Sequence, residues 1–167
     1  MIRTITLPLK AATPEALSRY GTLIEAGADG TPFGDADARL ELGRGTPRLY
    51  IMRLTHRPPR IAAITRHRAV TQCLAAMKGA AWFIGLAASI DPDDAAEEPD
   101  PAAIEVFQIP GDKALALRRG TWHAGLYFAD PVVDFLNLEL SDTNVVDHHT
   151  VQIDRRFGVV IEFATPA

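Results

Sequence analysis

Hydrophobic and polar positions alternate along most of this chain, and Gly, Pro and Asp cut the alternation into short pieces. Beyond Gly45, stretches rich in Val, Ile, Leu, Tyr and Phe recur between such turns, the pattern of an all-β sandwich or barrel. The predicted strands are 49–54, 61–66, 71–76, 81–88, 104–109, 114–117, 125–128, 133–140, 150–153 and 159–163. In the first of these, Leu49, Ile51 and Arg53 alternate with Tyr50, Met52 and Leu54, so one face is mostly apolar and the other mixed. Near the amino terminus the period changes. A short strand over 5–9 is followed by Thr13-Pro14-Glu15, a capping hydroxyl, a proline at the first helical position and an acid in the first turn. Ala16, Leu17, Tyr20, Leu23 and Ile24 then supply a loosely amphipathic face, which predicts one helix ending before Gly27.

At 167 residues with 47% apolar and 23% charged positions, the chain has enough material for one domain over 1–167 with a sizeable core. The net charge of −4 argues against a nucleic-acid module. No apolar run approaches the roughly 20 residues of a membrane span. Met1-Ile2-Arg3-Thr4 lacks the apolar stretch of a secretory signal, and a lone cysteine, Cys73, closes no internal disulfide, so a cytoplasmic location is expected. The charges are unevenly spread. From Arg39 to Arg68 there are eight arginines and one acid, Glu41, whereas 91–101 (DPDDAAEEPDP) holds six acids and three prolines. The second stretch reads as a solvated loop. The first offers rigid forks of donors suited to a small anionic substrate, or a solvated strand face.

The spacing that could carry chemistry is His67-x4-Gln72-x6-Gly79, answered by Gly120-x2-His123. It resembles the two half-motifs of the cupin superfamily, in which adjacent strands point side chains into the mouth of a small β-barrel. The implied fold is all-β with a short N-terminal helix: a cupin-type double-stranded β-helix, or jelly-roll barrel. Thr65, Gln72 and Arg118 stand where the superfamily usually has a histidine, a glutamate and a proline. Two imidazoles and an amide make a poor metal site, so no cofactor is called for; a weakly bound divalent metal would take His67, Gln72 and His123.

A longer resemblance covers nearly the whole chain. Leu7-Pro8-Leu9 with Tyr20-Gly21-Thr22-Leu23-Ile24-Glu25, His67-x3-Thr71-Gln72 with Met77-Lys78-Gly79, Gly120-Thr121-Trp122-His123, and Val132-Val133-Asp134-Phe135-Leu136 are similar, in order, to motifs of the ureidoglycolate lyase family. The stretch from Leu138 to His148 (LELSDTNVVDH) resembles a divergent branch of it. The resemblance implies a cytoplasmic homodimer, a C–N lyase of purine-nitrogen recovery through allantoin degradation, which splits ureidoglycolate, or a related small carboxylated ureide, into glyoxylate and urea. Such an elimination needs a base for the hydroxyl proton, an acid for the departing nitrogen and a cation on the carboxylate. Lys78 is the expected base, its pKa lowered by burial and neighbouring arginines. His123 is the expected acid and His67 a second relay. Gln72 would bond the urea carbonyl or amide, and Arg53 and Arg68 the carboxylate. The alternatives are a non-catalytic cupin that binds a small anion, and a metal-dependent cupin of another class. Of His148-His149, adjacent on a strand, at most one can reach a pocket. Trp122 and Cys73 read as packing residues, and Ser141-Asp142-Thr143-Asn144 as a turn. The geometric expectation is that His67 and His123 meet in one arginine-rimmed cavity beside Lys78.

Overall fold

The alternation becomes three sheets in the computed structural model, which describes residues 1–166. Strands account for 45% of the chain and helices for 10%, and the sheets form no closed barrel, a jelly-roll arrangement of the cupin kind. Fourteen strands follow in order: β1 (Arg3–Thr6), β2 (Leu9–Ala11), β3 (Gly21–Ile24), β4 (Pro47–Thr55), β5 (Arg60–Ile61), β6 (Ala63–Arg66), β7 (Gln72–Ala76), β8 (Gly79–Ala87), β9 (Glu105–Gly111), β10 (Ala114–Leu117), β11 (Trp122–Tyr127), β12 (Val132–Leu140), β13 (His149–Gln152) and β14 (Val159–Glu162). One sheet has the order β13-β6-β11-β8-β9-β2, a second β3-β10-β7-β12-β4, and a third β1-β14-β5.

The six-stranded sheet lies in the middle because its strands are apolar on both faces. Along β8, Trp82, Ile84 and Leu86 pack with Leu74, Leu115 and Phe135 of the five-stranded sheet. The intervening Phe83, with Val106 and Trp122, packs against Ile61, Val159 and Ile161 of the small sheet. Period-two alternation sends successive side chains to opposite layers.

Several predicted elements differ: the strand over 61–66 is divided between β5 and β6 in different sheets, and the turn over 141–144 leads into a helical turn, Thr143–Val146. The helix is one turn, Pro14–Leu17, capped as expected by the Thr13 hydroxyl, which accepts from the Ala16 N–H at 3.1 Å. The chain then turns into β3, which pairs antiparallel with β10. Tyr20, Leu23 and Ile24 fit the helical period, and pairing with β10 overrides it. Gly21 is needed there, since a Cβ would stand 2.0 Å from the Ala116 carbonyl oxygen. The expected strand over 5–9 is divided at Pro8: β1 runs parallel to β14, and β2 runs parallel to β9 in another sheet. Among the described residues no helix is long and apolar enough to cross a membrane.

The acidic stretch is more tightly held than its composition suggests. Arg66 is fully buried and donates to the Glu97 carboxylate at 3.0 Å and the Asp94 carbonyl at 2.5 Å. Arg68 donates to the carbonyls of Pro92 and Asp93, and Arg119 to the Asp93 carboxylate. Glu97 also accepts from Ser89, the Ile90 and Asp91 N–H groups, and the Trp122 indole at 3.3 Å. Six acids look solvated by composition, but one of them is turned inward onto a buried guanidinium.

Candidate active site

His67 and His123 come together. His123 pairs with Thr65 across β11 and β6, and His67 follows two residues later in the same phase, so both side chains leave the six-stranded sheet towards the five-stranded one. Their ring centroids are 5.0 Å apart. His148, just before β13, stacks on the far side of His67 at 5.6 Å and 20°. His149 points the other way, to the Trp122 ring and the Arg66 guanidinium.

Both central imidazoles have defined tautomers. Since a carbonyl can only accept, His67 Nδ1–H donates to the Asp147 carbonyl at 2.6 Å and His123 Nδ1–H to the Thr121 carbonyl at 3.1 Å. In the neutral ring this leaves each Nε2 as a lone-pair acceptor. Burial, then the like charge of His67 and His148, pushes His123 down to about 3, so it is uncharged near neutrality. Burial also lowers His67, against the opposing pull of the Asp147 carbonyl, the Asp147 charge and the Glu139 charge.

Opposite the imidazoles, the inner face of the five-stranded sheet is polar. Gln72, Asn137 and Glu139 are 7%, 1% and 1% exposed in an otherwise aliphatic interior. Glu139 accepts from Tyr50 Oη, Gln72 Nε2, Asn137 Nδ2 and Asn144 Nδ2 at 3.1–3.2 Å. Gln72 Nε2 donates also to Asn137 Oδ1 at 3.2 Å, while Gln72 Oε1 is buried without a partner. Gln72, His67 and His123 share a narrow crevice. His123 also forms the wall of an open cavity of about 480 Å³, lined with His148, Thr65, Tyr127, Arg57 and Arg60.

The other expected site residues stand elsewhere. Lys78 lies beyond the end of β7 away from Gln72. It holds a turn with φ of 62°, is exposed, and shares a separate depression with Arg53 and Asp134. The structure does not bring it together with the imidazoles. Arg53 forms a bidentate pair with Asp134 at 2.8 and 3.0 Å on the outer face of its sheet. Arg68 is turned onto the acidic loop. The arginines that do reach the imidazole cavity are Arg57, which donates to the Gly125 carbonyl at 3.1 Å, and Arg60, 3.8 Å from Glu162. Neither contact uses all five guanidinium donors.

The cupin arrangement raises the question of a divalent metal, and the donor set does not fit one. Gln72 turns its nitrogen to Glu139, and His148 stacks on His67 instead of converging with it. Among the described residues, no group of three or more His, Cys, Asp or Glu is placed to hold an ion. Cys73 is partly buried and burial pushes its thiol up to about 11, which suits a packing residue and no nucleophile.

A family model described as ureidoglycolate lyase matches residues 4–160. No curated protein matches the chain.

Proposed function

The chain belongs to the ureidoglycolate lyase family, and from that premise we propose that it cleaves the C–N bond of ureidoglycolate, or of a closely related small carboxylated ureide, releasing glyoxylate and urea. What carries the reading is an uncharged imidazole, His123, in the wall of a cavity with two arginines at its rim, and a second imidazole, His67, 5.0 Å behind it. The reaction is internally balanced. The hydroxyl proton leaves, the oxygen electrons form the new carbonyl bond, the C–N electrons pass to the urea nitrogen, and that nitrogen takes up one proton. A neutral imidazole that accepts the hydroxyl proton can return it to the nitrogen, so one shuttle does the work of separate acid and base. His123 has the Nε2 acceptor and the place in the wall, and His67 stands behind it as the relay. Arg57 and Arg60 take the role of carboxylate forks in place of Arg53 and Arg68. In this reading the protein is a cytoplasmic, single-domain homodimer that serves purine-nitrogen recovery.

The test is glyoxylate release from racemic ureidoglycolate, followed with purified protein. Turnover is expected, and His123→Asn should lower it about 100-fold or more, the range of a lost proton-transfer group. Absence of glyoxylate, accompanied by a ligand-induced rise in melting temperature, favours the anion-binding alternative.

A further inference from the structure

Sequence alone leaves open which end of the Gln72 amide faces a ligand, since an amide both donates and accepts. The structure closes that choice. Both Gln72 N–H groups are spent, one on Asn137 Oδ1 and one on Glu139 Oε2. A flipped amide would set its oxygen against the Glu139 carboxylate and the Asn137 oxygen, three acceptors with no proton among them. Glu139 is itself fixed by Tyr50 and Asn144. Gln72 Oε1 is therefore held, buried and without a partner, in the crevice it shares with two imidazoles whose Nε2 atoms are also acceptors.

From this juxtaposition we infer that Gln72 is a specificity residue that reads an N–H donor, held in register by Glu139 as a positioning residue. The inference rests on the lyase reading and deepens it: the cavity is polarised. Arg57 and Arg60 at the rim suit a carboxylate. The crevice behind His123 suits the N–H end of a ureide, amide or amidine, because Gln72 Oε1 and the two imidazole Nε2 atoms there are all acceptors. A buried acceptor left unpaired is costly, so a ligand that supplies the proton is favoured over an isostere that cannot.

Two unreactive probes separate these cases. N-carbamoylglycine carries a carboxylate and a ureido group without the hydroxyl that elimination needs. 4-Oxopentanoate has the same heavy-atom skeleton with CH2 and CH3 in place of NH and NH2. Calorimetric titration of the wild-type protein should show N-carbamoylglycine binding about tenfold tighter. Gln72→Leu should remove the preference. Glu139→Gln should weaken it, because the new amide removes one of the two acceptors that hold the Gln72 amide in place. Affinity for 4-oxopentanoate should change less than twofold in both variants, which a general loss of structure would not allow. Equal affinities for the two probes in the wild-type protein, or no binding of either, overturns the inference whatever the variants do. So does a preference that Glu139→Gln leaves undiminished. Glyoxylate release is scored separately: a protein that prefers the N–H probe yet releases no glyoxylate keeps this inference and loses the lyase reading, and turnover with equal probe affinities does the reverse.

Discussion

At His123 the same burial that makes the ring useful makes it a liability in acid. The unfolded side chain takes its proton near 6.5 and the folded one only near 3. Between those values the unfolded chain binds more protons, so stability is full above about 6.5 and falls as the pH is lowered towards 3. His67 and His149, both lowered chiefly by burial, add to the same slope. Carboxylates act lower down. Burial raises Glu97, but the hydrogen bonds from Asp91, Ser89, Ile90 and Trp122 outweigh it, and its net shift is below 4.5. Its stabilisation is present above that value and is lost as the pH falls through its lower folded pKa. The interval from about 6.5 to 5 therefore belongs to the imidazoles. Melting temperatures at pH 7 and pH 5 should show a smaller drop for His123→Asn than for the wild-type protein; equal drops would show that the ring titrates normally.

Elements were legible where a local signal set them and illegible where a distant strand did. The Thr13-Pro14 cap, the turn after Met77 and the phase of His67 and His123 are all local, and these residues stand as their sequence suggests. Glu139 is the opposite case. In β12, Leu136 is 37% exposed whereas Asn137 and Glu139 are buried. The leucines alone suggest one phase, but Val133 and Phe135 are 4% and 0% exposed and set the opposite one, which Asn137 and Glu139 continue inward. Lys78 is set apart from the imidazoles for a related reason: it sits where the chain passes from β7 in one sheet to β8 in another, and the spacing does not say which end of β7 meets the second histidine. The acidic loop hides its role in the same way, because the partner that matters is Arg66, whose strand lies some thirty residues earlier. With its side chain fully buried and its charge met by Glu97 at 3.0 Å, Arg66 depends on that loop. Glu97→Ala would strand a buried guanidinium, and urea unfolding should show a loss of about 3–5 kcal/mol. A loss below about 1 kcal/mol would mean that carbonyls alone suffice for Arg66.

For the whole molecule, the phase of β12 has a second consequence on the other side of the same sheet. If polar groups occupy the inner face, aliphatic ones are left outside. Leu49 and Ile51 of β4 are 63% and 58% exposed, and they pair in register with Leu138 and Leu136 of β12. The charges on this outer face of the two strands, Arg53 and Asp134, neutralise one another. The nine-residue strands β4 and β12 span about 30 Å and the other three about half that, so at about 4.8 Å per strand the face measures roughly 500 Å². A standard interface covers about 800 Å² on each partner. The homodimer of the proposed reading would use this aliphatic, nearly neutral face as the centre of a two-fold contact that extends beyond the sheet. A two-fold contact repeats each change on both sides, so a single Ile51→Glu sets two like charges in the aliphatic block. Sedimentation equilibrium should find a dimer for the wild-type protein and a monomer for Ile51→Glu, with glyoxylate release retained because the imidazole cavity opens on the inner face. A dimer that survives Ile51→Glu would place the contact elsewhere. Loss of turnover in a folded monomer would show that the cavity needs the second copy.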